Sequence, residues 1–170
     1  MPVREVVRYP AAVLKARTAA LTPGPEAEAI ARDLVDTMRV SPACVGLAAP
    51  QIGIGARAFC MDITGHRKAR SCHGLIVMIN PVIVAHEGGE VTREGCMSVP
   101  DFTGNVRRAT SIVVEGLSPV GEPIRIEADA FEARALQHEI DHLDGLLFLD
   151  RVSSLTDDIF RRTRYEPPKT

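Results

Sequence analysis

Residues 137–142 read Gln-His-Glu-Ile-Asp-His, so His138, Glu139 and His142 form an H-E-x-x-H pattern. Residues four apart stand one above the other on a helix, which lets both imidazoles reach one point with Glu139 about a quarter turn away. Two metal ligands and a general base are what metal-assisted hydrolysis needs. A bare histidine pair at that spacing is as often a surface or satisfied core pair as a metal site, so a third ligand decides. The metzincin continuation H-E-x-x-H-x-x-G-x-x-H is followed through Gly145 and then meets Phe148 in place of histidine. A thermolysin-like site needs a later glutamate, and the only one, Glu166, lies in a proline-rich tail. Upstream, Cys96 in Glu94-Gly95-Cys96-Met97-Ser98-Val99-Pro100 is the best candidate, because a thiolate is a strong ligand for a transition metal.

The motif needs a helix to hold it, and residues 129 to 144 supply one. Asp129 followed by Glu132 reads as a capping box, and Gly145 sits where a helix C-terminus closes. Phe131, Ala135, His138 and His142 share one stripe, while Leu136, Ile140 and Leu143 lie opposite, with Arg134, Gln137 and Asp141 between. A helix apolar on most of its surface is buried, which places the two histidines inside the protein. Pro25 opens a second helix running to about residue 39, with Ile30, Leu34 and Met38 on its core face and Glu26 and Glu28 near its N-terminus. Residues 1 to 24 read as extended, with one helical turn around 12 to 16. Residues 45 to 53 read as a tight loop of small residues in which Gln51 alone has a side chain that both donates and accepts hydrogen bonds.

From residue 56 onward short β-rich runs appear, at 58–61, 75–79, 82–84, 111–114 and 123–126, separated by turns at Asn80-Pro81, Gly88-Gly89 and 119–122. The segment 94–100 reads as a turn-bounded insert closed by Pro100. Without strand-helix-strand alternation, this predicts an α+β fold with antiparallel β-sheets packed around a central metal-binding helix. Residues 1–150 are expected to form one domain carrying the H-E-x-x-H site, and 151–170 a tail of the same domain with a short helix anchored by Leu155 and Phe160. The run Arg161-Arg162-Thr163-Arg164 reads as a solvated face or, alternatively, as a transient docking point for an RNA-rich partner such as a ribosome.

The 170 residues suit one domain, with 20 basic against 22 acidic residues, a net charge of −2 and 45% apolar residues. That balance carries no broad footprint for specific nucleic-acid binding. No apolar run is long enough to span a bilayer and the first residues lack a signal peptide's apolar core, so a cytoplasmic location is expected. Cys44, Cys60, Cys72 and Cys96 contain no C-x-x-C pair and are expected as free thiols, Cys60 filling core and Cys72-His73 structural or incidental.

Three segments in order resemble one family, the peptide deformylases, across residues 5 to 150: Cys44-Val45-Gly46-Leu47-Ala48-Ala49-Pro50-Gln51, Glu94-Gly95-Cys96-Met97-Ser98 and Gln137-His138-Glu139-Ile140-Asp141-His142-Leu143. The resemblance implies a metallohydrolase that removes the N-formyl group from the N-terminal methionine of new proteins and releases formate. Cys96, His138 and His142 would hold one divalent metal ion, iron(II) first among the candidates, with zinc, nickel or cobalt able to take its place. Glu139 would be the general base, and the Gln51 amide and the Met97 backbone N–H would stabilise the oxyanion. Val45, Gly46, Phe131 and Ala135 would line the pocket for the methionine of an N-formyl-methionyl peptide. Three positions depart from the family's usual residues: Cys44 at the first glycine of the loop motif, Thr103 where arginine is frequent, and Arg134 where many members are apolar. They leave open a different N-formyl substrate, or a protein that binds formyl peptides without cleaving them.

Overall fold

The computed structural model describes residues 3–162. Two helices, α1 (Pro25–Val40) and α2 (Ala130–Leu143), accompany eight strands: β1 (Gly46–Ala48), β2 (Ala58–Met61), β3 (Ile76–Glu87), β4 (Glu90–Cys96), β5 (Val99–Arg108), β6 (Ser111–Leu117), β7 (Pro123–Asp129) and β8 (Ile159–Arg161). One sheet has the order β1-β2-β3-β6-β7 and the other β4-β5-β8, and every pair of neighbours is antiparallel. The expected α+β fold with antiparallel sheets around the histidine helix is what the chain forms.

Strand β2 shows how the core is divided. Its four residues alternate between faces, so Phe59 and Met61 meet Leu136, Ile140 and Leu143 of α2, while Ala58 and Cys60 meet Ile30, Leu34 and Met38 of α1. The larger sheet is therefore covered by a helix on each side here, which is why all four positions are apolar. A third cluster joins Cys96, Val99 and Val106 of the smaller sheet to Leu14, Leu147 and Phe148. Phe148, the residue that breaks the metzincin pattern, is thus core.

Several local expectations change. The runs at 75–79 and 82–84 are one strand: Asn80 adopts φ 53° and the register shifts between Ile79 and Val82, so Asn80-Pro81 makes a bulge rather than a turn. The Asn80 carboxamide accepts from Leu21 N–H and donates to Leu21 O, tying down the N-terminal segment. Gly88-Gly89 is where the chain leaves one sheet for the other; β3 pairs with β6 and β4 with β5, so the four strands form one long ribbon that bends there. The loop expected at 45–53 contains β1 and a 3₁₀ turn at Ala49–Ile52, too short to show a period. Pro100 does not end its segment but lies inside β5. The C-terminal helix expected around Leu155 and Phe160 is a turn followed by β8, held because Phe160 pairs with Thr103 across the smaller sheet. Thr163 and Arg164 of the basic run lie outside the described residues.

The capping box of α2 is also absent. Ala130 enters the helix at φ 49°, and the Asp129 carboxylate makes no cap bond but accepts from Ser71 N–H. Glu132, fully buried, accepts from Ser71 Oγ, His73 N–H and His73 Nδ1. The two acids clamp the loop before β3 onto the helix.

At its other end α2 closes as expected. Gly145 has φ 77°, its N–H reaches His142 O, and Leu146 N–H reaches Asp141 O. A Cβ at Gly145 would stand 2.7 Å from Lys15 O. Gly145→Ala therefore combines a strained φ with a backbone clash, and denaturant titration should show a loss of about 2 kcal/mol or more.

Candidate metal centre

Helix α2 carries His138 and His142 on one face, and β4 ends at Cys96 opposite them. Cys96 Sγ stands 3.5 Å from His142 Nε2, which stands 3.2 Å from His138 Nε2, and the three atoms lie within 4.8 Å of one another. Tetrahedral ligation with ordinary bond lengths requires about 3.3 Å between two imidazole nitrogens and about 3.6 Å between nitrogen and sulfur. The two separations that meet at His142 therefore already match two edges of a metal tetrahedron. It is the only such group of His, Cys and carboxylate ligands among the described residues, and the Cys72-His73 pair belongs to no other.

The second nitrogen of His138 fixes its orientation. Nδ1 meets Glu94 Oε1 at 2.8 Å, which leaves Nε2 to face Cys96 and His142. Glu94 in turn accepts from Arg108 Nε at 2.8 Å and Nη2 at 2.9 Å, and Arg108 Nη1 donates to Asp141 at 2.5 Å. Arg151 closes the chain with two bonds to Asp141. Burial alone would raise the Glu94 carboxyl, but the hydrogen bonds from Arg108 and His138 outweigh it and hold the pKa down at about 2. The acceptor for His138 is thus a permanent carboxylate.

The two imidazoles are driven apart. For His138 the lowering effect of burial is overcome by hydrogen bonds to Cys96 and Glu94, so its pKa stands well above the usual value. Burial and then the charge of His138 hold His142 well below. One positive charge shared among these facing donors is the charge a divalent cation would replace.

Glu139 is buried, and its Oε2 has no hydrogen-bond partner. Burial raises its carboxyl to about 7, with His138 opposing and Glu94 assisting. A cation beside it would draw that value down again. A Cβ on Gly46 would lie 3.0 Å from Glu139 Cδ, so this glycine gives β1 its close approach to Glu139.

Gln51 follows β1 in the 3₁₀ turn and is 2% exposed. Its Oε1 accepts from Ala48 N–H at 3.0 Å, which settles which end is which: Nε2 faces Cys96 Sγ at 3.4 Å and Ser98 Oγ at 3.2 Å. Met97 follows Cys96 in the turn between β4 and β5. Val45, Gly46, Phe131 and Ala135 line the same cleft of about 1420 Å³ as Gln51, Cys96, Met97, His138 and Glu139. His142, 1% exposed, lies behind it.

Of the three departures, Cys44 and Arg134 line this cleft, while Thr103 is the strand partner of Gly95 in its wall. Cys44 is half-buried, its thiol donates to Gly46 O, and burial, reinforced by Glu139, pushes its pKa up to about 12, so it is a neutral thiol. Thr103 pairs with Gly95, and the place a Gly95 Cβ would take is filled by the guanidinium of Arg162. The cation at this wall thus comes from the residue after β8 instead of from position 103. Arg134 sits 3.7 Å from Glu90 and 5.6 Å over the Phe131 ring. Sequence reasoning gave no role to Glu94, Arg108, Asp141 or Ser98. Glu94 was recoverable, since residues two apart on a strand share a face and Cys96 must point inward.

A family profile described as polypeptide deformylase matches residues 3–158. The peptide deformylase of Thermodesulfovibrio yellowstonii is 39% identical over 163 residues, covering 95% of this chain and 96% of its own. That of Halothermothrix orenii is 46% identical over 127 residues, 75% of this chain and 78% of its own. A crystal structure of a peptide deformylase from Legionella pneumophila superposes with a TM-score of 0.81 at 36% identity, covering 90% of this chain and 88% of that one.

Glu94→Gln keeps the size of the side chain but removes the charge that holds His138 and balances Arg108. Competition against a chelator should show metal affinity falling by about 10- to 100-fold.

Proposed function

The chain belongs to the peptide deformylase family, metal-dependent enzymes that remove N-formyl groups from nascent peptides, and on that premise we propose how its own residues divide the work. Cys96, His138 and His142 hold the metal ion, an assignment supported by their mutual spacing. Once bound, the ion acidifies water and polarises the formyl carbonyl. Iron(II) is the proposed resident, with zinc, nickel or cobalt able to substitute, since one thiolate and two imidazoles suit all of them.

Glu139 takes a proton from the attacking water and passes it to the departing amine nitrogen as the C–N bond breaks, leaving formate and a free N-terminus. Its carboxyl, without a protein partner at Oε2, is left for that exchange. As water adds to the formyl carbon, the carbonyl oxygen gains charge. The Gln51 amide, locked by Ala48 with its N–H₂ toward the centre, and the backbone N–H of Met97 receive it.

The substrate is an N-formyl-methionyl peptide. Its methionine enters the apolar end of the cleft formed by Val45, Gly46, Phe131 and Ala135, where the stripe of α2 runs away from His138. Strands β1 and β4 are the outer strands of their sheets and both contribute residues to the cleft, so an extended peptide can pair its backbone with them. Newly translated chains place the enzyme in the cytoplasm. No described helix is long and apolar enough to cross a membrane. A transient ribosome contact is proposed for the C-terminal basic run, in which Arg161 is exposed.

The observation that carries this reading is that Gln51, Cys96, His138 and Glu139 line one cleft with His142 directly behind it. Formate release from formyl-Met-Ala-Ser by anaerobically purified iron(II) protein tests it, and no release with metal bound would overturn it. Gln51→Ala should reduce kcat about a hundredfold, the usual cost of one oxyanion donor. Glu139→Ala should reduce it further, with metal content unchanged in both.

A further inference from the structure

Residues 62–75, between β2 and β3, carry the run His66-Arg67-Lys68-Ala69-Arg70, whose composition suggests a solvated loop. The structure holds it firmly. At its start Asp62 Oδ1 accepts from Thr64 N–H and Oγ1, and Oδ2 pairs with Arg39 at 3.0 Å. At its end Ser71 and His73 are bolted to Asp129 and to the fully buried Glu132. Glu132 is the neighbour in sequence of Phe131, so the loop is anchored to the same helical turn that supplies the cleft wall.

Between these anchors the loop delivers His66 onto Phe131. The ring centroids are 3.8 Å apart and the planes lie within 3° of parallel. The imidazole is itself fixed, because its Nδ1 accepts from Lys68 N–H at 3.1 Å and its backbone joins Ile63 and Ala69. Accepting that bond requires an unprotonated Nδ1. Burial, then the cations of Lys68, Arg67 and Arg134, lower the pKa of the ring, which keeps it uncharged at neutral pH. A neutral ring held flat on a phenyl ring is an apolar partition, not a solvated side chain.

Its place along α2 gives the partition a role. Phe131, Ala135 and His138 share one stripe, and Phe131 stands seven positions before His138, about 10 Å along the helix axis. A side chain leaving the reacting amide at His138 and running along this stripe meets Ala135, where there is room, and then Phe131 backed by His66. We propose that His66 is a specificity-determining residue for the side chain of the formylated residue. Stacked on Phe131, it fixes the far limit of the pocket and so restricts it to unbranched apolar side chains of methionine's length. This rests on the deformylase assignment above and adds the residue that sets its side-chain selectivity.

The test compares formyl-Met-Ala-Ser, formyl-norleucyl-Ala-Ser and formyl-Phe-Ala-Ser. Dissociation constants are measured by calorimetry on metal-loaded protein carrying Glu139→Gln, alone and combined with His66→Ala or His66→Phe. Turnover is measured in parallel with Glu139 intact. His66→Ala should lower the preference for methionine and norleucine over phenylalanine by about tenfold, the effect of an altered apolar pocket. The loss in turnover should fall on KM for the methionyl peptide, and His66→Phe, which keeps a flat ring on Phe131, should restore the preference. An unchanged preference in His66→Ala overturns the inference. So does an equal loss for all three peptides carried by kcat, which marks a merely structural residue. Failure of the intact protein to release formate would instead count against the deformylase assignment, with the binding preference still deciding the role of His66.

Discussion

The structure turns on one buried carboxylate. Glu94 lies on β4 two residues before Cys96 and receives Arg108 from β5 on one side and His138 from α2 on the other. Without Arg108 the buried carboxylate would keep only His138 as a partner, and without the carboxylate Arg108 would keep only Asp141 of the carboxylates that now share its guanidinium. Asp141 takes the third guanidinium bond, from the same helix that bears both histidines. One network therefore sets the distance between the small sheet and α2, and the position of the candidate ligand His138 depends on it. Buried ion pairs are poor general stabilisers, but they tolerate few alternative geometries, which suits a centre whose ligands come from separate elements.

The bent ribbon of β3 to β6 makes this meeting possible. Passing from one sheet to the other at Gly88-Gly89, it carries the β4–β5 turn back over the helix, so Cys96 reaches the two histidines. The opposite wall is β1, which comes close because Gly46 has no side chain to strike Glu139. The resulting cleft is bounded by two sheet edges, floored by the stripe of α2 and closed at one end by the clamped loop with His66. Rigid anchors at both ends of that loop, at Asp62 and Glu132, convert a polar stretch into a wall.

Local pattern made a good part of this legible. The H-E-x-x-H spacing, the apolar wheel of residues 129–144 and Gly145 defined α2 and its end, because helical periodicity and a left-handed closing residue leave marks in adjacent positions. Phe148, where the metzincin pattern fails, leaves Cys96 as the upstream candidate, and the two residues share one core cluster. Strands β2, β6 and β7 were visible for the same local reason. Strands β4 and β5 were not, since they are polar on their outer faces and β5 contains Pro100, and β1 is only three residues long. Asp129 and Glu132 looked like a helix cap because the pattern is local; their true partners, Ser71 and His73, are about sixty residues away.

Read alone, the chain's residues reveal the family, the candidate ligands Cys96, His138 and His142, the candidate base Glu139 and the helix that presents three of these four. Each is carried by side-chain chemistry or by spacing along a few consecutive residues. Relations across the chain come from the folded arrangement instead: Glu94 with Arg108, Gln51 with Cys96, Arg162 over Gly95 and His66 on Phe131. Such pairs form because sheet pairing and burial bring distant residues together and require each buried charge or polar group to find a partner. That requirement leaves no period in the sequence, so the candidate ligands are readable while the residues that hold and bound them are not.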